Sequence, residues 1–260
     1  MAGIDDREYH KTAPLPATDR RSIYECRQPA LDLGHFLDEH LPALRGAQVL
    51  DVGCGSGPYV PATSERARDL TVLDIAAGRL DGIDPVAARR VCGDVQALPF
   101  PDVTFDVVMA MHMLYHVPDI RAAAREMRRV LRRGGVLYAF TNSERAQAEL
   151  AELIARNGCD PSAGGDFDEL RFSNENGEQL LRAGFDKVTL VELTDTELVV
   201  PDAEQIVDEI ERNRYLYEPG LRAGVAWAPF VAGVRRDASQ IIARDGGFRM
   251  SENHGLFTCR

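Results

Sequence analysis

The run Val49-Leu50-Asp51-Val52-Gly53-Cys54-Gly55-Ser56-Gly57 constrains this chain more than any other. Aliphatic residues end in an acid and then in glycines on alternate positions, the pattern of a buried strand that delivers the backbone into a tight turn before a helix. Glycine tolerates positive φ and lets the main chain approach a ligand more closely than a residue with a Cβ can. The spacing is G-x-G-x-G and not the G-x-G-x-x-G of the dinucleotide fingerprint, so a pyrophosphate on the helix N-terminus is not the expected ligand. A nucleoside carrying an amino-acid tail fits better.

Three later stretches extend this logic. Thr71-Val72-Leu73-Asp74 reads as a second strand ending in an acid, roughly 20 residues beyond Gly53, the offset at which such a carboxylate meets a ribose diol in nucleotide-binding α/β sheets. The same aspartate could instead cap the next turn. Gly93-Asp94-Val95-Gln96-Ala97-Leu98-Pro99-Phe100 follows a third strand, and Phe105-Asp106-Val107-Val108-Met109-Ala110-Met111-His112 forms a fourth. That strand opens into Met113-Leu114-Tyr115-His116-Val117-Pro118-Asp119, and ligands of open α/β sheets sit beyond the carboxyl ends of the strands. His112 and His116 stand four apart, but aligning them on a metal needs a helix, the loop ends in Pro118, and no third ligand is evident. No metal is expected.

In this order the four stretches resemble the motifs of the class I S-adenosylmethionine-dependent methyltransferases, over roughly residues 46 to 143. The G-D-x-x-x-L-P-F and L-Y-H-V-P-D pieces are most similar to the ubiquinone/menaquinone-methyltransferase-like branch, which acts largely on small molecules. The resemblance implies an α/β, Rossmann-like, doubly wound seven-stranded sheet, mostly parallel with an antiparallel last strand, and a helical lid insertion. It implies S-adenosyl-L-methionine as cofactor and S-adenosyl-L-homocysteine as product. On this reading Asp51 orients the turn's amides or reaches the methionine ammonium, while Gly53, Cys54 and Gly55 admit the cofactor. Asp74 holds the ribose with Ile75 against the adenosine, Asp94 meets the adenine amino group beside the backbone of Val95, and Met111 and His112 flank the methionine end.

With 260 residues, 45% hydrophobic and 27% charged, the chain has the balance of a folded protein. The net charge of −11 and the absence of a basic block beyond Arg128-Arg129 and Arg132-Arg133 disfavour a nucleic-acid partner. Those arginines lie near the end of an expected helix, where cations face the dipole favourably. Cys26, Cys54, Cys92, Cys159 and Cys259 lack C-x-x-C spacing, and their odd count points to reduced thiols in a cytoplasmic setting. No apolar run approaches the ~18 residues of a membrane span, and the first residues are acidic and not signal-like, so no membrane partner is expected. The oligomeric state is not legible.

Residues 1–45 read as a loose arm followed by a helix from Gln28 to His40 over the pocket, with Tyr24, Arg27 and His35 as candidates for lining it. Residues 46–143 form the cofactor-binding core. Pro58 and Pro61 make the helix after the glycine turn late or short, and Gly78, Gly82 and Pro85 abbreviate the next crossover. Asp119 caps a helix to about Arg132, and Val136 to Phe140 form a fifth strand, with Ser143 as N-cap of a helix near Glu144. Residues 144–260 complete the same domain. Val188–Leu193 and Glu197–Val200 read as two strands, lid helices with Trp227 against substrate occupy 202–243, and the last strand covers 255–259.

Acids concentrate in this half: Asp166, Asp168, Glu169, Glu175, Glu178, Asp202, Glu204, Asp208, Glu209 and Glu211. Such a run is either a solvated face or, in part, a cradle for a cationic amine or guanidine. Glu175 is the candidate for the second use, and with Tyr115 and His116 it makes the set of candidate catalytic groups for removing a proton from the acceptor. The expectation is methyl transfer to a small molecule, with nitrogen ahead of oxygen or carbon as the acceptor atom. The alternatives are O- or C-methylation of a natural product or quinone precursor, and a non-catalytic, cofactor-binding regulator.

Overall fold

Val49, Leu50, Asp51 and Val52 are all buried, as they must be in a strand covered on both faces. The computed structural model describes residues 22–160 and 171–260; most of the expected arm, and Asp166, Asp168 and Glu169, lie outside them. In chain order the strands are β1 (Arg27–Gln28), β2 (Gln48–Val52), β3 (Asp69–Asp74), β4 (Arg89–Cys92), β5 (Phe105–Met111), β6 (Leu131–Asn142), β7 (Val188–Val200) and β8 (Phe248–Cys259). The sheet order is β1-β7-β8-β6-β5-β2-β3-β4. The one strand beyond the expected seven is the two-residue β1.

The described residues divide into two compact units. The larger comprises 32–144, 171–193 and 254–260. Here β2 pairs in parallel with β3 and β5, β3 with β4, and β5 with β6, while β8 runs antiparallel to β6, the orientation expected of the last strand. One face, with Leu50, Val52, Val108 and Ala110, packs under α3 (Ile120–Val130) and α5 (Gly177–Leu181) through Ala123, Met127, Val130 and Leu181. The other, with Val49, Val107 and Met109, packs under α1 (Leu33–His40) and α2 (Val60–Ser64) through Leu37 and Val60. Alternate residues of each strand feeding opposite cores is what the two-residue strand period dictates.

The smaller unit comprises 22–31, 145–160 and 194–253. It packs α4 (Ala148–Arg156), α6 (Ala203–Arg212), α7 (Arg214–Tyr217) and α8 (Trp227–Asp245) around a core that includes Leu150, Ile154, Leu198, Val200, Ile206, Ile210, Phe230, Val234 and Met250. Among the described residues no helix is long and apolar enough to cross a membrane.

Where the elements differ from expectation, a local cause is visible. The helix expected from Gln28 starts at Leu33, because Asp32 caps it by accepting from His35 N–H at 2.9 Å. Asp119 does cap α3, accepting from Ala122 N–H at 2.9 Å. The helix after the glycine turn has five residues, and the crossover from β3 to β4 holds a single 3-10 turn, Ala77–Arg79, as the prolines and glycines foretold. Thr194-Asp195-Thr196 suggested a break, yet β7 is continuous, since β-branched threonines suit an exposed strand. In β8 an inward-facing charge hid the strand pattern: Glu252 is buried and accepts two hydrogen bonds from the Arg27 guanidinium. The expected helix near Glu144 begins instead at Ala148, so Ser143 caps nothing there.

Of the arginines near the end of α3, Arg129 is a structural hub. It donates to Glu126, Asp102 and the carbonyls of Leu98 and Phe100, and Glu126 in turn accepts from Leu98 N–H at 2.8 Å. Arg132 bonds Asp106 and Gln48. Arg129→Ala removes these bonds together and leaves Glu126 without its cation. The variant should lose on the order of 2 kcal/mol and melt several degrees lower with unchanged far-UV dichroism. A melting temperature equal to the parent's would refute the assignment.

Candidate active site

At the end of β2 the chain passes through Gly53, Gly55 and Gly57 with φ of 63°, 57° and 81°. A Cβ at Gly53 would lie 2.6 Å from the Met113 side chain, so backbone and packing both demand glycine there. Gly55 differs. The nearest atom to its missing side chain is an Arg79 guanidinium nitrogen at 3.7 Å, which leaves the open approach a ligand requires.

Asp74 holds this turn. Its Oδ2 accepts from Gly55 N–H at 2.9 Å and its Oδ1 from Ala76 N–H at 2.9 Å, so one carboxylate joins the end of β3 to the glycine turn and caps its own next turn. Each oxygen retains further acceptor capacity. Ile75 beside it is 68% exposed, unusual for an isoleucine at a strand end. Asp51 is buried, 3% exposed. Burial first, and the Asp74 charge second, push its pKa up to about 7. The Cys54 thiol packs in the core, where burial and the charges of Asp51 and Asp74 raise its pKa, so Cys54 offers a ligand its backbone only.

Asp94 accepts from Gln96 N–H at 2.8 Å and from the Gln96 amide, and Gln96 Oε1 accepts from Asp119 N–H at 3.0 Å. The segment after β4 is thereby fixed to the start of α3, with Val95 buried beneath it. Beyond β5, the Met111 side chain is buried in the core under α1 and α2. His112 adopts a left-handed φ of 53°, donates its N–H to the Phe140 carbonyl at 2.9 Å, and sets its ring 4.6 Å from Phe140 and 5.4 Å from His254. Tyr115 is buried with its ring 4.5 Å from that of His116, which is exposed.

Glu175 accepts from the Ser143 hydroxyl at 2.6 Å and from Glu144 N–H at 3.0 Å. Burial raises its pKa, but the hydrogen bonds from Ser143 and from the backbones of Glu144 and Glu175 outweigh that and hold it below the usual carboxylate value. Glu175 thus ties down the segment that leaves β6. His254 Nδ1 lies 2.9 Å from Asn142 Oδ1, a contact the sequence reading missed because it began the last strand at Gly255. In the smaller unit Tyr24 is 48% exposed, while Trp227 donates its indole N–H to Glu211 and carries the Arg214 guanidinium over its ring at 4.8 Å. His35 is exposed, 3.3 Å from Glu39. Among the described residues, no group of three or more His, Cys, Asp or Glu side chains could hold a metal ion.

A parallel sheet with a glycine turn after one strand and a carboxylate closing the next defines a nucleoside-binding α/β protein. The family model described as a methyltransferase domain matches residues 50–139. A ubiquinone biosynthesis O-methyltransferase from Pseudomonas entomophila (strain L48) is 30% identical over 59% of this chain and 70% of its own length. A malonyl-[acyl-carrier protein] O-methyltransferase from Serratia marcescens is 34% identical over 41% of this chain, which spans 43% of that relative. A solved SAM-dependent methyltransferase from Archaeoglobus fulgidus shares the fold, with a TM-score of 0.52 at 14% identity over 88% of this chain and 93% of its own. The chain belongs to the class I S-adenosylmethionine-dependent methyltransferase family.

The residues present fit that family's cofactor. Asp51 is buried next to the Asp74 charge, a setting that a cation such as the methionine ammonium would relieve, and the open side of Gly55 would leave room for it. The raised pKa of Asp51 has two consequences. Because the folded value exceeds the 3.8 of an ordinary aspartate, this group's contribution to stability is full below about pH 4 and lost as pH rises through 7. Asp51→Asn should therefore raise the melting temperature of the ligand-free protein by several degrees at about pH 8 while weakening cofactor binding tenfold or more. An ammonium beside Asp51 lowers its pKa, so binding should release protons at about pH 6 and few at about pH 8.5. Calorimetry in buffers of different ionisation enthalpy measures this, and equal proton release by parent and Asn variant would refute it.

Proposed function

We propose that this chain transfers the methyl group of S-adenosyl-L-methionine to a hydroxyl oxygen of a small-molecule acceptor. The observation that carries the reading is Asp51: a buried residue whose carboxyl pKa is raised by burial and by the Asp74 charge, beside a left-handed glycine turn that Asp74 holds. Asp51 serves the ammonium, Gly53 and Gly55 allow close approach, and Asp74 takes the ribose hydroxyls. Asp94 and the Val95 backbone serve the adenine, with the exposed Ile75 against its ring and His112 at the methionine end. The cofactor supplies a methyl group already activated on a sulfonium. The protein's part is to align the acceptor, exclude water and accept a proton.

Oxygen is favoured over nitrogen for two reasons. The cationic-acceptor reading depends on Glu175, whose carboxylate is engaged by Ser143 and Glu144 and held below its ordinary pKa, which makes it a weak proton acceptor. The two relatives described above are named as O-methyltransferases. The net charge of −11 is consistent with a small acceptor and not a polynucleotide.

Incubation with methyl-labelled cofactor and a panel of phenols, aliphatic alcohols, quinols and amines tests this. Label should appear on hydroxyl acceptors. Transfer to amines alone would overturn the choice of oxygen, and tight cofactor binding without transfer to any acceptor would favour a regulator. Asp74→Ala should weaken cofactor binding by about a hundredfold, measured by calorimetry, because it removes the ribose acceptor and the lock on the turn together.

A further inference from the structure

In the larger unit, a cleft of about 280 Å³ opens at the end of the sheet away from the glycine turn. Its lining includes Asp106 at the start of β5, Arg132, Arg133 and Gly135 of β6, and Arg260. β2 begins next to it, where Gln48 Oε1 accepts from Arg132 at 2.9 Å, and reaches the glycine turn about 17 Å further on. The cleft is therefore separate from the place of methyl transfer.

The backbone explains why arginines gather there. Leu131 pairs with Phe105 and Val136 with Val107, so four residues of β6, Arg132 to Gly135, stand opposite Asp106 alone. A bulge of this kind re-aims the side chains it carries. Gly134 supplies a left-handed φ of 80°, and a Cβ on Gly135 would lie 2.9 Å from the Asp106 carbonyl oxygen, so both glycines are needed for two consecutive arginines to line the cleft. Arg260 is fixed from the other side: its N–H donates to the Lys187 carbonyl at 2.8 Å, and its carbonyl accepts from Lys187 N–H at 3.0 Å.

The charges are unbalanced. Among the described residues lining the cleft, three arginines stand against one aspartate, in a chain whose net charge is −11. That aspartate is already engaged, by Arg132 at 2.6 Å, by Gln48 N–H at 2.9 Å and by Arg68 at 3.7 Å. Arg133 and Arg260 are exposed. Planar guanidinium forks match the oxygens of a phosphate, and a cleft near the ~300 Å³ lower end of small-molecule sites suits a compact ligand.

We infer that this cleft binds the phosphate group of a small molecule, with Arg133 and Arg260 as donors and with Arg132, braced by Asp106 and Gln48, holding the bulge in shape. The site does not depend on which acceptor is methylated.

Titration of the full chain at fixed ionic strength with inorganic phosphate and with phenyl phosphate, read by calorimetry and phosphorus NMR, tests this. Saturable binding is expected below about 10 mM, and its absence with both probes overturns the inference. Tighter binding of phenyl phosphate assigns the site to a phosphorylated metabolite, and equal affinity assigns it to free phosphate. Arg133→Ala and Arg260→Ala should each weaken the tighter probe by about tenfold. Arg89→Ala, which removes an exposed arginine from β4, should leave it within about twofold. Equal weakening by all three would mean diffuse attraction and no site, and unchanged binding in Arg133→Ala and Arg260→Ala would equally overturn the assignment. The affinity of each variant for S-adenosylhomocysteine should stay within about twofold of the parent's, which shows that it folds. Phosphate binding that saturating S-adenosylhomocysteine abolishes belongs to the cofactor site and refutes the inference.

Discussion

One carboxylate organises the ends of β2 and β3 in the larger unit. Asp74 closes β3, and its two oxygens accept the amides of Gly55 and Ala76. β2 and β3 are neighbours in a parallel register that sets Asp51 opposite Val72 and Val52 opposite Leu73, so their ends arrive side by side. The glycine turn can adopt its left-handed backbone only if something satisfies the amides it turns outward, and Asp74 does so from the adjacent strand end. Asp51 is the counterpart. It is buried beside the charge of Asp74, so the ligand-free protein holds unfavourable charge at the place where a cationic group gains most.

Much of this was legible in the sequence, for identifiable reasons. Strands buried on both faces read as continuous apolar runs, acids at their ends stand out against them, and prolines after the glycine turn marked a stunted helix that proved to be five residues long. Legibility failed where polar residues occupy strands. Thr194, Asp195 and Thr196 look like a turn but continue β7, and Glu252 breaks the alternation of β8 because it points inward to Arg27. Truncating β8 at Gly255 also hid His254, which no spacing rule links to Asn142; only antiparallel pairing across more than a hundred residues does.

The candidate site divides along the same line. Gly53, Gly55, Asp74 and Asp94 are candidates from local pattern, and the backbone conformations they serve are local. Tertiary partners are not legible in that way. Glu175 is a candidate to face an acceptor, and nothing in the sequence signals the hydrogen bonds it accepts from Ser143 and from Glu144 N–H after the end of β6. Trp227 is a candidate substrate wall, and nothing in the sequence signals that its indole N–H goes to Glu211 and its face to Arg214. A free-standing acid or aromatic in a sequence says nothing of which neighbour has already claimed it.

The abbreviated passage between β3 and β4 has an effect of its own. With one 3-10 turn in place of a full helix, β4 is the least covered strand of the larger unit, and Arg89, Arg90 and Cys92 are exposed on it. An outermost strand with a bare row of amides and carbonyls is a template for a stray chain, and positive charges along it repel a second copy. Arg90 also reaches back to the carbonyl of Leu80. The thinness of this passage thus obliges the margin of the sheet to protect itself against aggregation by charge.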